Sequence, residues 1–86
     1  MSKRKQKEIQ RLLSRPSDYS YKELAKLLND FGYIESNSGK TSGSRVRFYN
    51  PITQDKILIH RPHPSPIVKK YVIDLVIDKL KKAGEI

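Results

Sequence analysis

Cysteine is absent from the 86 residues of this chain. Disulfide bonds, thiolate catalysis and the usual cysteine-based zinc sites are therefore excluded. Long apolar runs are absent as well, because no stretch approaches the roughly 20 residues that a membrane-spanning helix needs. The first five residues, MSKRK, also lack the apolar stretch of a signal peptide. We therefore expect a cytoplasmic protein that has no membrane partner.

Acidic residues are few compared with basic ones. Nine Asp and Glu stand against 18 Lys and Arg, which gives a formal net charge of +9 at neutral pH. An excess of this size favours nucleic acid, an anionic membrane or an acidic protein as partner, without choosing among them. A solvated basic surface would give the same composition.

Neither an internal repeat nor a linker divides the chain, so we expect one domain over residues 1–86. With 36% apolar residues, a chain of this length can form one thin hydrophobic core. Residues 3–14 are predicted to form a short helix with a sparse apolar stripe, which Arg15 and Pro16 end.

Two further helices are predicted from their terminal signals. Ser20 and Glu23 have the spacing of a capping box, and Gly32 suits the left-handed residue that ends a helix. The closing helix is predicted to begin with Ser65 as its cap and Pro66 in its first turn. Its predicted buried stripe consists of Val68, Val72, Leu75, Val76 and Leu80.

Three short strands are predicted between these two helices, over residues 33–36, 44–49 and 56–60. A short turn at residues 50–55 makes the second and third strands antiparallel neighbours. The predicted fold class is α+β, a three-stranded antiparallel sheet packed by helices, with an extra helix at the N-terminus.

The alternation along the strands predicts which side chains share a face, since successive side chains of a strand point to opposite faces. In the second strand Val46 and Phe48 face the core, and the open face holds Arg45 and Arg47. In the third strand Ile57 and Ile59 share one face. The other face of that strand holds Lys56, Leu58 and His60.

Both histidines of the chain, His60 and His63, lie where the third strand ends, and three prolines stiffen residues 62–66. Histidine is the side chain whose unperturbed pKa lets it exchange protons near neutral pH. This pattern in a basic chain predicts proton transfer beside a polyanion. The structural alternative is that His63 caps the final helix and His60 is a partly exposed strand residue.

A metal pair at His60 and His63 is a weaker interpretation, because cysteine and a well-placed third ligand are missing. NTP binding of the P-loop type is excluded for the loop around Lys40. The sequence Gly39-Lys40-Thr41 resembles the end of a P-loop, but Ile34 stands where that motif needs glycine. The loop is either a phosphate cradle near Lys40 or a plain hairpin turn. We expect no metal and no cofactor.

Cleavage of RNA by its own 2′-hydroxyl matches this set of residues. The reaction needs a base for the 2′-hydroxyl, an acid for the leaving 5′ oxygen, and cations near the phosphate. His60 or His63 can transfer the protons, and Arg45, Arg47 and Lys40 can supply the positive charge.

Several short sequences occur together between about Ser20 and Gly84 in a recognisable order. They are YKELAKLL at 21–28, Phe31-Gly32-Tyr33, Gly43-Ser44, Val46-Arg47-Phe48, a histidine-proline exit, and Lys82-Ala83-Gly84. In this order and spacing the chain resembles the HicA family of toxins, small ribonucleases of bacterial toxin–antitoxin pairs.

The resemblance implies a fold similar to a double-stranded-RNA-binding domain over residues 20–84, with residues 1–19 as a helical extension. The extension either enlarges the basic surface or covers an edge of the core. The implied activity is metal-independent cleavage of mRNA by an endoribonuclease, and the implied partners are RNA and a HicB-like antitoxin. His63 corresponds best to the second histidine position of the family, and Ser44 would orient the backbone or donate a hydrogen bond.

Arg45 departs from the family pattern, in which a catalytic histidine typically follows the glycine-serine pair. Arginine stays charged at working pH, so it cannot act as a general base, but it binds phosphate bidentately. Either proton transfer has moved to His60 or His63, or the protein binds RNA without cutting it efficiently. The alternative function is therefore a non-catalytic RNA-binding module that reads shape. A third possibility is an adaptor for an acidic protein.

Overall fold

The computed structural model describes residues 3–37, 45–62 and 65–86. They form three helices and one antiparallel sheet with the strand order β1-β2-β3, which confirms the predicted α+β class. The helices are α1 (Lys3–Leu13), α2 (Tyr21–Asp30) and α3 (Lys70–Lys82). The strands are β1 (Ile34–Asn37), β2 (Arg45–Tyr49) and β3 (Lys56–His60). In this described part of the chain, no helix is both long and apolar enough to cross a membrane.

The strand register confirms the predicted faces of the sheet. Val46 and Phe48 pair with Ile59 and Ile57, and all four side chains are buried. The residues between them in β2 and β3 are exposed, as the predicted alternation requires. The helices pack on the buried face, where the core side chains from α2 and α3 are Leu24, Leu27, Leu28, Val72, Ile73, Val76 and Leu80.

The predicted capping box at the start of α2 is present. The Glu23 backbone N–H donates to the Ser20 hydroxyl at 3.1 Å, and the Ser20 backbone N–H donates to the Glu23 carboxylate at 3.4 Å. The helix ends just before Gly32, whose φ of +94° lies in the left-handed region that favours glycine. Both ends of α2 therefore follow from local sequence.

The predicted start of α3 at Ser65 and Pro66 is wrong, because the helix begins at Lys70 with Lys69 at the N-cap. The preceding residues are extended and pair with the chain before α2. The Tyr21 N–H donates to the Pro66 carbonyl at 2.9 Å, and the Val68 N–H donates to the Tyr19 carbonyl at 2.8 Å. This pairing with distant residues satisfies backbone groups that a longer helix would otherwise use.

The predicted buried stripe of α3 is also wrong at one position. Leu75 is 40% exposed, while Ile73, which the stripe omitted, is fully buried. Val68 is buried as predicted, but it lies in the extended segment before the helix. The buried face of α3 therefore consists of Val72, Ile73, Val76 and Leu80. Leu75 lies outside this face.

Helix α1 packs against α2 and α3 and contributes to the core. Leu12 is fully buried, and the guanidinium of Arg11 hydrogen-bonds to both carboxylate oxygens of Glu23. That guanidinium also donates to Asp18 at 3.2 Å. These contacts favour a role for residues 3–13 in covering the core.

Replacing Leu12 with alanine tests this role of α1. We expect Leu12→Ala to lower the free energy of unfolding by about 2–5 kcal/mol, because it removes a buried leucine and leaves a cavity. Leu13→Ala is the matched control, since Leu13 is 43% exposed and its loss should cost less than about 1 kcal/mol. Urea denaturation followed by circular dichroism measures both changes. Equal losses for the two variants would contradict a core role for α1.

Candidate nucleic-acid interface

The face of the sheet turned away from the helices is the candidate site, and we call it the open face. Among the described residues its side chains are Ile34, Ser36, Arg45, Arg47, Tyr49, Lys56, Leu58 and His60. Arg45 lies directly opposite His60 in the β2–β3 ladder. Residues paired in this way have Cβ atoms roughly 4.5–5.5 Å apart on the same face. Arg45 and His60 are therefore cross-strand neighbours on the same exposed face of the sheet.

The open face is positive because the acidic side chains lie elsewhere. All nine Asp and Glu of the chain are among the described residues, and none of them is on this face. Most of them pair with basic residues of the helices and loops. Examples are Arg15 with Asp74 at 2.6 Å and Lys82 with Asp78 at 3.2 Å.

The cations of the open face are not neutralised in this way. In the parts of the chain that the structure describes, Arg45 and Lys56 form no ion pair, and the Arg47 guanidinium lies 5.9 Å from the centre of the Tyr49 ring. Leu58 on the same face is 51% exposed. Basic side chains interleaved with apolar and aromatic ones suit a ligand that has both phosphates and bases.

Tyr21, Glu35 and Arg61 form a cluster of contacts, which we call the cluster on Tyr21. It connects the residue after His60 to the start of α2. The Tyr21 hydroxyl donates to Glu35 at 2.5 Å, and the Arg61 guanidinium donates to the same oxygen at 3.1 Å. The guanidinium also lies 5.4 Å from the centre of the Tyr21 ring. Burial, with a further contribution from the bond to Glu35, raises the pKa of Tyr21 to about 12. The phenol therefore stays protonated and continues to donate.

Tyr21 contacts the chain at two points between β3 and α3, residues 61 and 66. Its side chain interacts with Arg61, and its backbone N–H donates to the Pro66 carbonyl at 2.9 Å. Residues 61 and 66 are thus both fixed to the start of α2. Sequence reasoning missed this cluster. One signal was available, because the alternation along β1 puts Glu35 on the side of the sheet that faces the helices, opposite Phe48.

The structure brings together three of the six predicted site residues, namely Arg45, Arg47 and His60. Lys40, Ser44 and His63 lie outside the described residues, and so does the phosphate-cradle interpretation of the loop around Lys40. Within the described ranges, no group of three or more His, Cys, Asp or Glu side chains is placed to hold a metal ion.

A double-mutant cycle tests the cluster on Tyr21. Tyr21→Phe and Glu35→Ala should each lower the free energy of unfolding by about 1 kcal/mol, because each removes the phenol–carboxylate hydrogen bond. The double variant should lose less than the sum of the two, since both changes remove the same bond. Urea denaturation of the four proteins gives the coupling energy. Strictly additive losses would contradict the coupling.

The chain was compared with protein-family models. Residues 21–84 match the family described as HicA toxin of bacterial toxin-antitoxin. The matched range begins with α2 and includes all three strands and α3, which confirms the resemblance predicted between about Ser20 and Gly84. Neither the curated proteins nor the solved structures gave a match.

Proposed function

The chain belongs to the HicA family of toxins from bacterial toxin–antitoxin systems, and on this premise we propose that it cleaves RNA without a metal ion. The observation that carries the proposal is the position of His60. It lies on the open face beside Arg45, in register across β2 and β3. A group able to transfer protons is therefore next to a fixed positive charge, on a face without carboxylates.

The proposed reaction is attack of the 2′-hydroxyl on the adjacent phosphorus. A neutral histidine takes the proton of the 2′-hydroxyl, and the new O–P bond closes a 2′,3′-cyclic phosphate. The bond between phosphorus and the 5′ oxygen breaks, and a protonated histidine gives its proton to that oxygen. We assign these two proton transfers to His60 and His63. Arginine next to the phosphate stabilises the negative charge that develops on its oxygens.

The remaining predicted residues have binding roles in this proposal. Arg45 and Arg47 hold the phosphates, and Lys40 adds charge from the loop between β1 and β2. Ser44 orients the backbone before Arg45 or donates a hydrogen bond. Because arginine cannot accept a proton at working pH, Arg45 binds the group on which the family's usual histidine would act.

A non-catalytic RNA-binding module is the second candidate function, and Arg45 is the observation that favours it. The side chain stands at the position of the family's catalytic histidine and is exposed on the open face. The same cations would then hold RNA through phosphate and 2′-hydroxyl contacts. Product formation distinguishes the two functions, because both involve phosphate binding.

Family membership implies an antitoxin partner. We propose a HicB-like antitoxin with an acidic surface that covers the open face. Such an antitoxin would compete with RNA for Arg45, Arg47 and Lys56, which no described carboxylate neutralises within the chain.

Incubation of the purified protein with a long structured RNA in EDTA tests the proposed function. We expect cleavage that leaves 2′,3′-cyclic phosphate ends, and we expect none from the folded His60→Ala/His63→Ala variant. Mass spectrometry of the fragments identifies the ends. Equal cleavage by both proteins would contradict the assigned histidines, and intact but retarded RNA would favour the binding module. In cells, a folded His63→Ala protein that still arrests growth would remove His63 from the mechanism.

Salt dependence of RNA binding tests Arg45. For single-stranded RNA, Arg45→Gln should weaken binding and reduce the slope of log K against log salt by about 0.7, because one phosphate contact is lost. Lys82→Gln removes the same formal charge from the helical side, where Lys82 is paired with Asp78, and should leave the slope unchanged. A filter-binding series from low to moderate salt measures both slopes. Equal reductions of the slope in the two variants would contradict a specific phosphate contact of Arg45, because they would show that RNA binding depends only on net charge.

A further inference from the structure

A cavity of about 250 Å³ opens between the end of β3 and the start of α3. The nearly buried side chains of Val68 and Val72 form its apolar lining, and Tyr71 and His60 border it. Pockets for drug-sized ligands have volumes of about 300–1,000 Å³, so this cavity suits a smaller group. We propose that it binds one nucleobase of the RNA substrate, an inference that rests on the proposed function.

Tyr71 gives the cavity an exposed aromatic surface. Its side chain is 61% exposed, and it makes no hydrogen bond or ring contact with any residue that the structure describes. Exposed aromatic rings of this kind stack on unpaired bases in single-stranded RNA. The apolar lining from Val68 and Val72 would contact the same base from inside the cavity.

The charge around the cavity favours an anionic ligand over a neutral apolar one. Lys69 and Arg61 both line it, and no carboxylate does. Lys69 has no ion pair with a described residue. Arg61 is held by Glu35 at 3.1 Å and by the ring of Tyr21, so it is already fixed in place. An apolar lining, an exposed aromatic ring and the charge of Lys69 together match a nucleotide.

The position of His60 connects the cavity with the open face. His60 lines the cavity and is paired with Arg45 across the ladder. A base in the cavity would therefore lie at the end of β3 where His60 pairs with Arg45. The cavity would influence which base adjoins the cleaved bond, with Tyr71 as a specificity-determining residue.

Methyl NMR of Val68 and Val72 in the full-length protein tests the proposal without depending on cleavage. The probes are the four nucleoside 3′-monophosphates, and inorganic phosphate is the control. A bound base should shift these methyl resonances through its ring current, and phosphate alone should not. Unchanged methyl resonances with all four nucleotides at saturating concentration, or equal shifts with inorganic phosphate, would overturn the proposal.

Variants of α3 separate stacking from a general effect on the helix. Tyr71→Ala should weaken nucleotide binding at least about fivefold through loss of stacking, and Tyr71→Phe should restore it. Leu75→Ala is the matched control, because Leu75 is partly exposed on the same helix and does not line the cavity. Undiminished binding by Tyr71→Ala, or an equal loss in Leu75→Ala, would contradict the proposal.

A further experiment tests whether the bound base belongs to RNA or to a free nucleotide. It also separates base binding from the proposed cleavage of RNA. A dinucleotide whose 2′-hydroxyl is methylated, and which cannot be cleaved, should bind more tightly than the matching monophosphate, since it extends onto the open face. Tighter binding of the free nucleotide would identify a nucleotide site unconnected with RNA. If the nucleotides bind but RNA stays intact in EDTA, the ribonuclease proposal fails and the base site remains.

Discussion

The antiparallel pairing of β2 with β3 is the constraint on which the rest of the structure depends. It sets Val46 against Ile59 and Phe48 against Ile57 in the core, and it thereby sets Arg45 beside His60 on the open face. Because strand side chains alternate with a period of two, a slip of one residue would exchange the two faces. Burial of four apolar side chains therefore holds the register, and the same register brings the guanidinium and the imidazole together.

The distribution of charge makes the open face suitable for binding an anionic ligand. A net charge of +9 would otherwise be compatible with a uniformly basic surface. Here most of the carboxylates form ion pairs away from the open face, with residues such as Arg11, Arg15 and Lys82. These pairs are partly exposed and each contributes little to stability. None of these pairs involves Arg45, Arg47 or Lys56, so the open face keeps its positive charge, as does the surface of α1 that carries Arg4 and Lys7.

The sequence predicted local features better than features that depend on distant contacts. The capping box at Ser20 and the alternation in β2 needed only neighbouring residues, and the structure confirms both. The predicted start of α3 was wrong because the residues before the helix pair with the chain around Ser20, more than 40 positions away. The cluster on Tyr21 was missed for the same physical reason, since Glu35 and Arg61 meet only when the sheet has formed. Within the candidate site, the alternation of side chains along β2 and β3 was enough to predict that Arg45, Arg47 and His60 share one face.

The central claim is that RNA lies on the open face of the sheet. Backbone amide NMR shifts, recorded while a 2′-O-methylated RNA that cannot be cleaved is added, test it most directly. We expect the largest changes in β2, in β3 and in the residues that follow His60, with little change on the outer surfaces of α1 and α2. Changes concentrated on α1, where Arg4 and Lys7 supply another basic surface, would contradict it.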